Sequence, residues 1–128
     1  MSILINDSDR FDITVRYGEN NGNIEIFPEE GEIPQDAHSE TFTFKRPNWA
    51  ESRTMLSSCV IMNAANGEGV MDPYRFMDTR IKTLLKDWTL KDKDGNKIEV
   101  NPANIDMLPP TIVDCLFNRL TKKLTPQE

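Results

Sequence analysis

Phe11-Asp12-Ile13-Thr14-Val15-Arg16-Tyr17 alternates apolar and polar side chains without a break. That two-residue period belongs to a strand with one face buried and the other wet. Ile24-Glu25-Ile26-Phe27 answers it a few residues later. Pairing Tyr17 with Ile24 across a Gly18–Asn23 loop sets Val15 opposite Ile26 and puts the apolar residues of both strands on one side, so an antiparallel hairpin is consistent in register. Pro28 has no N–H for a further ladder bond, so it ends the second strand or marks it as an edge. Thr41-Phe42-Thr43-Phe44-Lys45 repeats the alternation and returns as a third strand, with Phe42 and Phe44 on one face to cover the hairpin.

Between these strands, residues 28–40 carry Pro28, Glu29, Glu30, Gly31, Glu32, Pro34, Asp36 and Glu40, with only Ile33 and Ala37 to bury. So little apolar surface predicts a mobile arm. Glu29, Glu30 and Glu32 are its candidate partner contacts, and the single histidine, His38, reads as a solvated residue of the same arm.

Downstream the period changes to that of helices. Asn48 with Glu51 three residues on makes a capping box, and a first helix is expected from Trp49 to Ala65 with Met55, Leu56, Cys59 and Val60 on its apolar stripe, stopped by Asn66-Gly67-Glu68-Gly69. Asp72 as cap and Pro73 at the first helical position open a second helix. Its stripe is Tyr74, Met77, Ile81, Leu84, Leu85 and Trp88, with Arg75, Asp78, Arg80, Lys82 and Lys86 mostly on the other side. A charged hairpin follows, and a three-residue Asp94-Gly95-Asn96 loop sets Leu90 opposite Val100. Asn101-Pro102 starts a short helical turn containing Ile105 and Leu108, and Pro109-Pro110 opens a last helix with Ile112, Val113, Leu116, Phe117 and Leu120 inward. The expected fold is α+β: an N-terminal antiparallel sheet, then about three helices with a short β-hairpin between the second and third. Residues 1–47 form the acidic β-rich part and residues 48–128 the mainly helical part of one domain.

The net charge of −6 is unevenly placed: residues 1–47 hold 10 acids against 4 bases, and residues 48–128 hold 11 of each. No basic cluster offers itself to phosphates, so nucleic acid is not an expected partner. No apolar run approaches the roughly 18 residues of a membrane helix, and the first residues lack the pattern of a signal peptide, so no membrane partner and a cytoplasmic location are expected. Cys59 and Cys115 fall in apolar helical patterns and read as buried, reduced thiols.

A search for chemistry returns little. Asp92-x-Asp94-x-Asn96 starts like a calcium loop, but Lys97 stands where the loop needs glycine and Ala103 where it needs the bidentate glutamate. Two distant cysteines and one histidine make no zinc site. Ser57 or Ser58 with His38 lacks a nucleophile elbow, Gly67-x-Gly69 lacks a third glycine, and the glutamates of the arm sit where nothing would raise a pKa. No catalytic residue, cofactor or metal is expected. Trp49, Tyr74, Trp88 and Phe117 suit the core. Phe76, one step off the stripe of the second helix, is a candidate contact residue.

The order of features from Thr41 to Leu120 resembles the bacteriophage tail assembly chaperones. It runs Phe-Thr-Phe-Lys-Arg-Pro leading into a helix, a helix ending in Lys86-Asp87-Trp88, a charged turn, then Leu108-Pro109-Pro110 and a final helix. The resemblance implies a small, non-catalytic factor of the host cytoplasm that binds the tape measure, tube or baseplate components of a tail and that self-associates as a homo-oligomer in some members. The acidic β-rich N-terminal part departs from that pattern. It leaves a second reading, a structural subunit of the mature virion, and a third, an acidic inhibitor of a host protein.

Overall fold

A computed structural model describes residues 3–6, 8–62 and 69–124. Strand β1 (Arg10–Asn20) turns at Asn21-Gly22 into β2 (Asn23–Phe27). Both turn residues have positive φ, 54° and 82°, the backbone a two-residue hairpin turn requires and the reason Asn-Gly occurs there. β1 therefore runs three residues past Tyr17, and Tyr17 pairs with Ile26 instead of Ile24. The offset from the expected register is two residues, so each side chain keeps its face. β2 ends at Phe27, before Pro28.

Strand β3 (His38–Lys45) begins three residues inside the segment read as an arm. It pairs antiparallel with β1, matching Phe11 to Phe44, Ile13 to Phe42 and Tyr17 to His38. His38 is thus a strand residue, its ring 5.4 Å from that of Tyr17.

Helix α1 (Trp49–Ser58) starts as expected: Asn48 Oδ1 accepts from the Glu51 amide at 2.9 Å and Glu51 Oε1 from the Asn48 amide at 3.2 Å. It stops earlier than Ala65. In its last turn the Ser57 and Ser58 hydroxyls donate to the carbonyls of Arg53 and Met55, which offers the backbone an alternative to further helix, and the β-branched pair Val60-Ile61 follows. Strand β4 (Val60–Met62) then pairs with β5 (Gly69–Met71) in a small second sheet. The expected helical residues 63–65 and the stop at 66–68 lie outside the described residues.

Helix α2 (Pro73–Leu84) has the anticipated cap, Asp72 accepting from the amides of Tyr74 and Arg75. Lys86-Asp87-Trp88 does not continue it. The chain passes at Leu85 into extended backbone, and strand β6 (Leu85–Trp88) joins the edge of β3. Leu85 opposes Phe44 and Trp88 opposes Phe42, with a register shift between Thr43 and Phe44. Three residues apart, Leu85 and Trp88 would face opposite sides of a regular strand; the irregularity brings both into the core. The main sheet is thus four antiparallel strands in the order β2-β1-β3-β6.

The following hairpin turns one residue earlier than expected. Asp92 N–H donates to Asn96 O at 2.8 Å around a Lys93-Asp94-Gly95 loop in which Gly95 has φ 82°, so Leu90 faces Ile98, not Val100. Helix α3 (Pro102–Asp106) is a single capped turn and helix α4 (Pro110–Leu124) follows it, giving four helices among the described residues. α4 lies on β1 and β2 and buries Ile112, Leu116 and Leu120. These meet Ile13, Val15, Phe42, Phe44, Ile81, Leu84 and Trp88 in one core. Fold class α+β is as the patterning indicated.

The other face of the main sheet is polar and ties its own hydroxyls. Thr14 and Thr41 hydroxyls meet at 3.1 Å, Thr43 donates to Asp12 at 2.6 Å, and Thr89 donates to Glu40 while accepting from the Thr41 amide. With its side chains bonded across the strands, this face can stay in water.

Candidate interaction surface

The acidic loop is fastened to the fold at two points. Arg119, from α4, donates to the carbonyls of Thr14 at 2.8 Å and Phe27 at 3.2 Å, and its Nε lies 3.1 Å from Glu29 Oε1. Arg16 donates to Gly31 O at 2.7 Å. Glu29 is therefore engaged within its own chain, whereas Glu30 and Glu32 are exposed. The sequence gives no periodic signal for Arg119 as the clamp, because it sits among the polar residues of α4 and its partners are distant in the chain.

Phe76 is less available than expected. Its ring meets Phe117 edge-on at 5.9 Å, the Arg80 guanidinium stacks 5.4 Å from its centroid, and Arg80 donates onward to Thr121 Oγ1. Among the described residues, the aromatic side chains that face outward are two assigned to the core from sequence, Trp49 at 74% exposure and Tyr74 at 80%. Each stands in the first turn of its helix, where the chain enters from outside and fewer neighbours cover a side chain. Trp88 and the half-buried Phe117 are packed as anticipated.

Tyr74 rims a groove of about 330 Å³ between α2, α3 and α4. Met77, Ile81, Ile105, Leu108 and Val113 line it, and Asp78, Asp106 and Asp114 stand at its rim. Lys82 bridges two of these acids, 2.9 Å from Asp78 and 2.7 Å from Asp106, and the hydrogen bonds it donates to Asp106 and then to Asp78 hold its ammonium above the ordinary pKa. Asp114 has no ion pair among the described residues. The groove presents an apolar floor with acidic edges, which can seat apolar side chains flanked by a base.

Asp92, Asp87 and Lys97 are engaged within the chain. Asp92 Oδ1 accepts from the amides of Asp94 and Asn96 and so closes its own turn. The hydrogen bond from Lys97, ahead of all other causes, holds Asp87 below the usual carboxylate range. Cys59 and Cys115 are both free; Cys59 is buried and Cys115 half-buried, and desolvation pushes the Cys115 thiol up. Among the described residues no group of three or more His, Cys, Asp or Glu is placed to hold a metal ion, and no helix is long and apolar enough to cross a membrane. Compared with known proteins, the chain matches no family model, no curated protein and no solved structure.

Proposed function

We propose that this chain is a small bacteriophage tail-morphogenesis protein that works by binding other tail proteins in the host cytoplasm, not by catalysis. Its partners on this reading are the tape measure, the tube or baseplate components. The observation that carries it is the apolar surface left open on the helical side, above all the groove rimmed by Tyr74. A domain of this size has core enough to hide a tyrosine and a tryptophan, and large exposed aromatics of this kind are the usual anchors of protein interfaces.

The resemblance supports the same reading through three of its four features. The Phe-Thr-Phe-Lys strand leads into a capped helix, the charged turn is a turn, and Pro109-Pro110 opens the last helix. The fourth, Lys86-Asp87-Trp88, is strand β6 and not a helix end.

The test is affinity capture with the tagged chain from phage-infected cells, together with mass spectrometry of purified particles. The chaperone-like reading expects recovery of a tail protein, weakened by Tyr74→Lys, and absence of the chain from particles. A second reading, a structural subunit of the virion, is favoured by the presence of open apolar residues on two separate elements, α1 and α2, as a subunit with two neighbours requires. It expects a fixed copy number in particles.

A further inference from the structure

The outward side of α1 carries Trp49, Arg53 and Leu56 at spacings of four and three residues, and Val60 follows just beyond its end. Met55 and Cys59 are buried and hold the neighbouring side of α1 against its own chain, so Trp49, Leu56 and Val60 stay exposed. The result is an apolar stripe with a cation at its centre. Arg53 has no ion pair among the described residues.

The groove between α2, α3 and α4 is the complement: an apolar floor with acids at its rim, of which Asp114 lacks a counter-ion within the described fold. We infer that the α1 stripe of one copy docks in the α2–α3–α4 groove of a second copy, Trp49 and Leu56 entering the apolar floor and Arg53 meeting Asp114.

Size and charge agree with that occupant. Trp49 and Leu56 lie about 10 Å apart along the helix at 1.5 Å per residue. A groove of about 330 Å³ is at the small end of ligand pockets and takes protruding side chains, not a whole helix. Asp78 and Asp106 share the single charge of Lys82, whereas Asp114 has no ion pair among the described residues, so an added cation is best placed opposite Asp114. A patch this small gives a weak, concentration-dependent contact. Because stripe and groove are different surfaces, the contact is heterologous, and it propagates into a ring or an open chain instead of closing at two copies. The inference concerns a second copy of the chain in the same groove that the tail reading gives to a tail protein, so the two occupants exclude one another there, and purified chain alone tests the self-contact.

Sedimentation velocity across a concentration series, with native mass spectrometry, tests it. The wild-type chain is expected to grow beyond the monomer as concentration rises, and Trp49→Ala in the stripe and Tyr74→Lys in the groove each to weaken this about thirtyfold. Both positions are exposed, and melting curves matching wild type verify that the variants fold; Arg53→Asp and Asp114→Arg serve as a second pair. The deciding readout is the mixture. Trp49→Ala keeps an intact groove and Tyr74→Lys an intact stripe, so the two variants should form a 1:1 pair that grows no further. A wild-type chain that stays monomeric throughout overturns the inference. So does a wild-type chain that associates while the two variants fail to pair on mixing, since that result belongs to a two-fold contact through one surface.

Discussion

Replacing Trp88 with phenylalanine tests the departure of the chain from helix at Leu85. The indole is 2% exposed, meets the Phe42 ring edge-on at 6.2 Å and donates Nε1–H to Ile98 O at 2.7 Å. Phenylalanine fills most of that site but leaves the Ile98 carbonyl without its donor, which costs about 1–2 kcal/mol. The smaller ring leaves a void whose cost, by interpolation from large-to-small core substitutions, is about 1–2 kcal/mol more. The sum is about 3 kcal/mol. For a chain of 128 residues unfolding entropy scales to about 0.27 kcal/mol per degree, so the melting temperature should fall by about 10 °C.

The assay is thermal and urea unfolding followed by circular dichroism and tryptophan emission. Trp49 and Trp88 are the only tryptophans, one exposed and one buried. Trp88→Phe should leave red-shifted emission that hardly changes on unfolding, and Trp49→Phe should cost within about 0.5 kcal/mol. A Trp88→Phe cost below about 1 kcal/mol, or equal to that of Trp49→Phe, would refute the packing of β6 on β3 and the anchoring of the 90–98 hairpin.

Arg119→Ala removes two hydrogen bonds and an ion pair at once, and hydrogen exchange and proteolysis between residues 28 and 37 should rise while the core amides stay protected; unchanged protection of that loop would show the clamp to be idle. The acid side of the stability curve should carry Glu51. The hydrogen bond from buried Lys45, first among its causes, holds the Glu51 carboxyl below the usual range. Its contribution is therefore complete above the unfolded carboxylate value near 4 and is lost as pH falls through the lower folded value. Glu51→Gln should destabilise most at pH 7 and progressively less below pH about 4, read as urea midpoints; a penalty constant with pH would contradict it.

The strands that alternate strictly were legible, because a period of two survives a misplaced turn: Phe11 to Tyr17 and Thr41 to Lys45 needed no tertiary information. The Asn21-Gly22 pair is itself a hairpin-turn signal, and it sits inside the six-residue Gly18–Asn23 stretch that the apolar alternation alone leaves as loop. Residues 84–88 were not. Leu84, Leu85 and Trp88 fit a helical stripe as well as a bulged strand, no glycine or proline marks the change, and β3, which decides it, lies some forty residues upstream. β4 and β5 carry no strand signal of their own, because Met55 and Cys59 extend a helical stripe up to the β-branched pair Val60-Ile61.

For the candidate surface the pattern was least informative. Apolar periodicity tells which residues seek burial, not which of them find a neighbour, so Tyr74 and Trp49 read as core and Phe76 as the outlier. The pairing of Arg119 with the acidic loop and of Lys82 with Asp106 spans distant segments, and only the folded arrangement brings them together.

The measurement closest to the central proposal is affinity capture from phage-infected cells with the wild-type chain and Tyr74→Lys side by side, scored by mass spectrometry for tape measure, tube and baseplate proteins. The wild type is expected to recover at least one of these, and the groove variant to recover it about tenfold less while melting like wild type. Capture of no tail protein, or equal capture by both, would contradict the claim that this domain works by binding tail components through the groove.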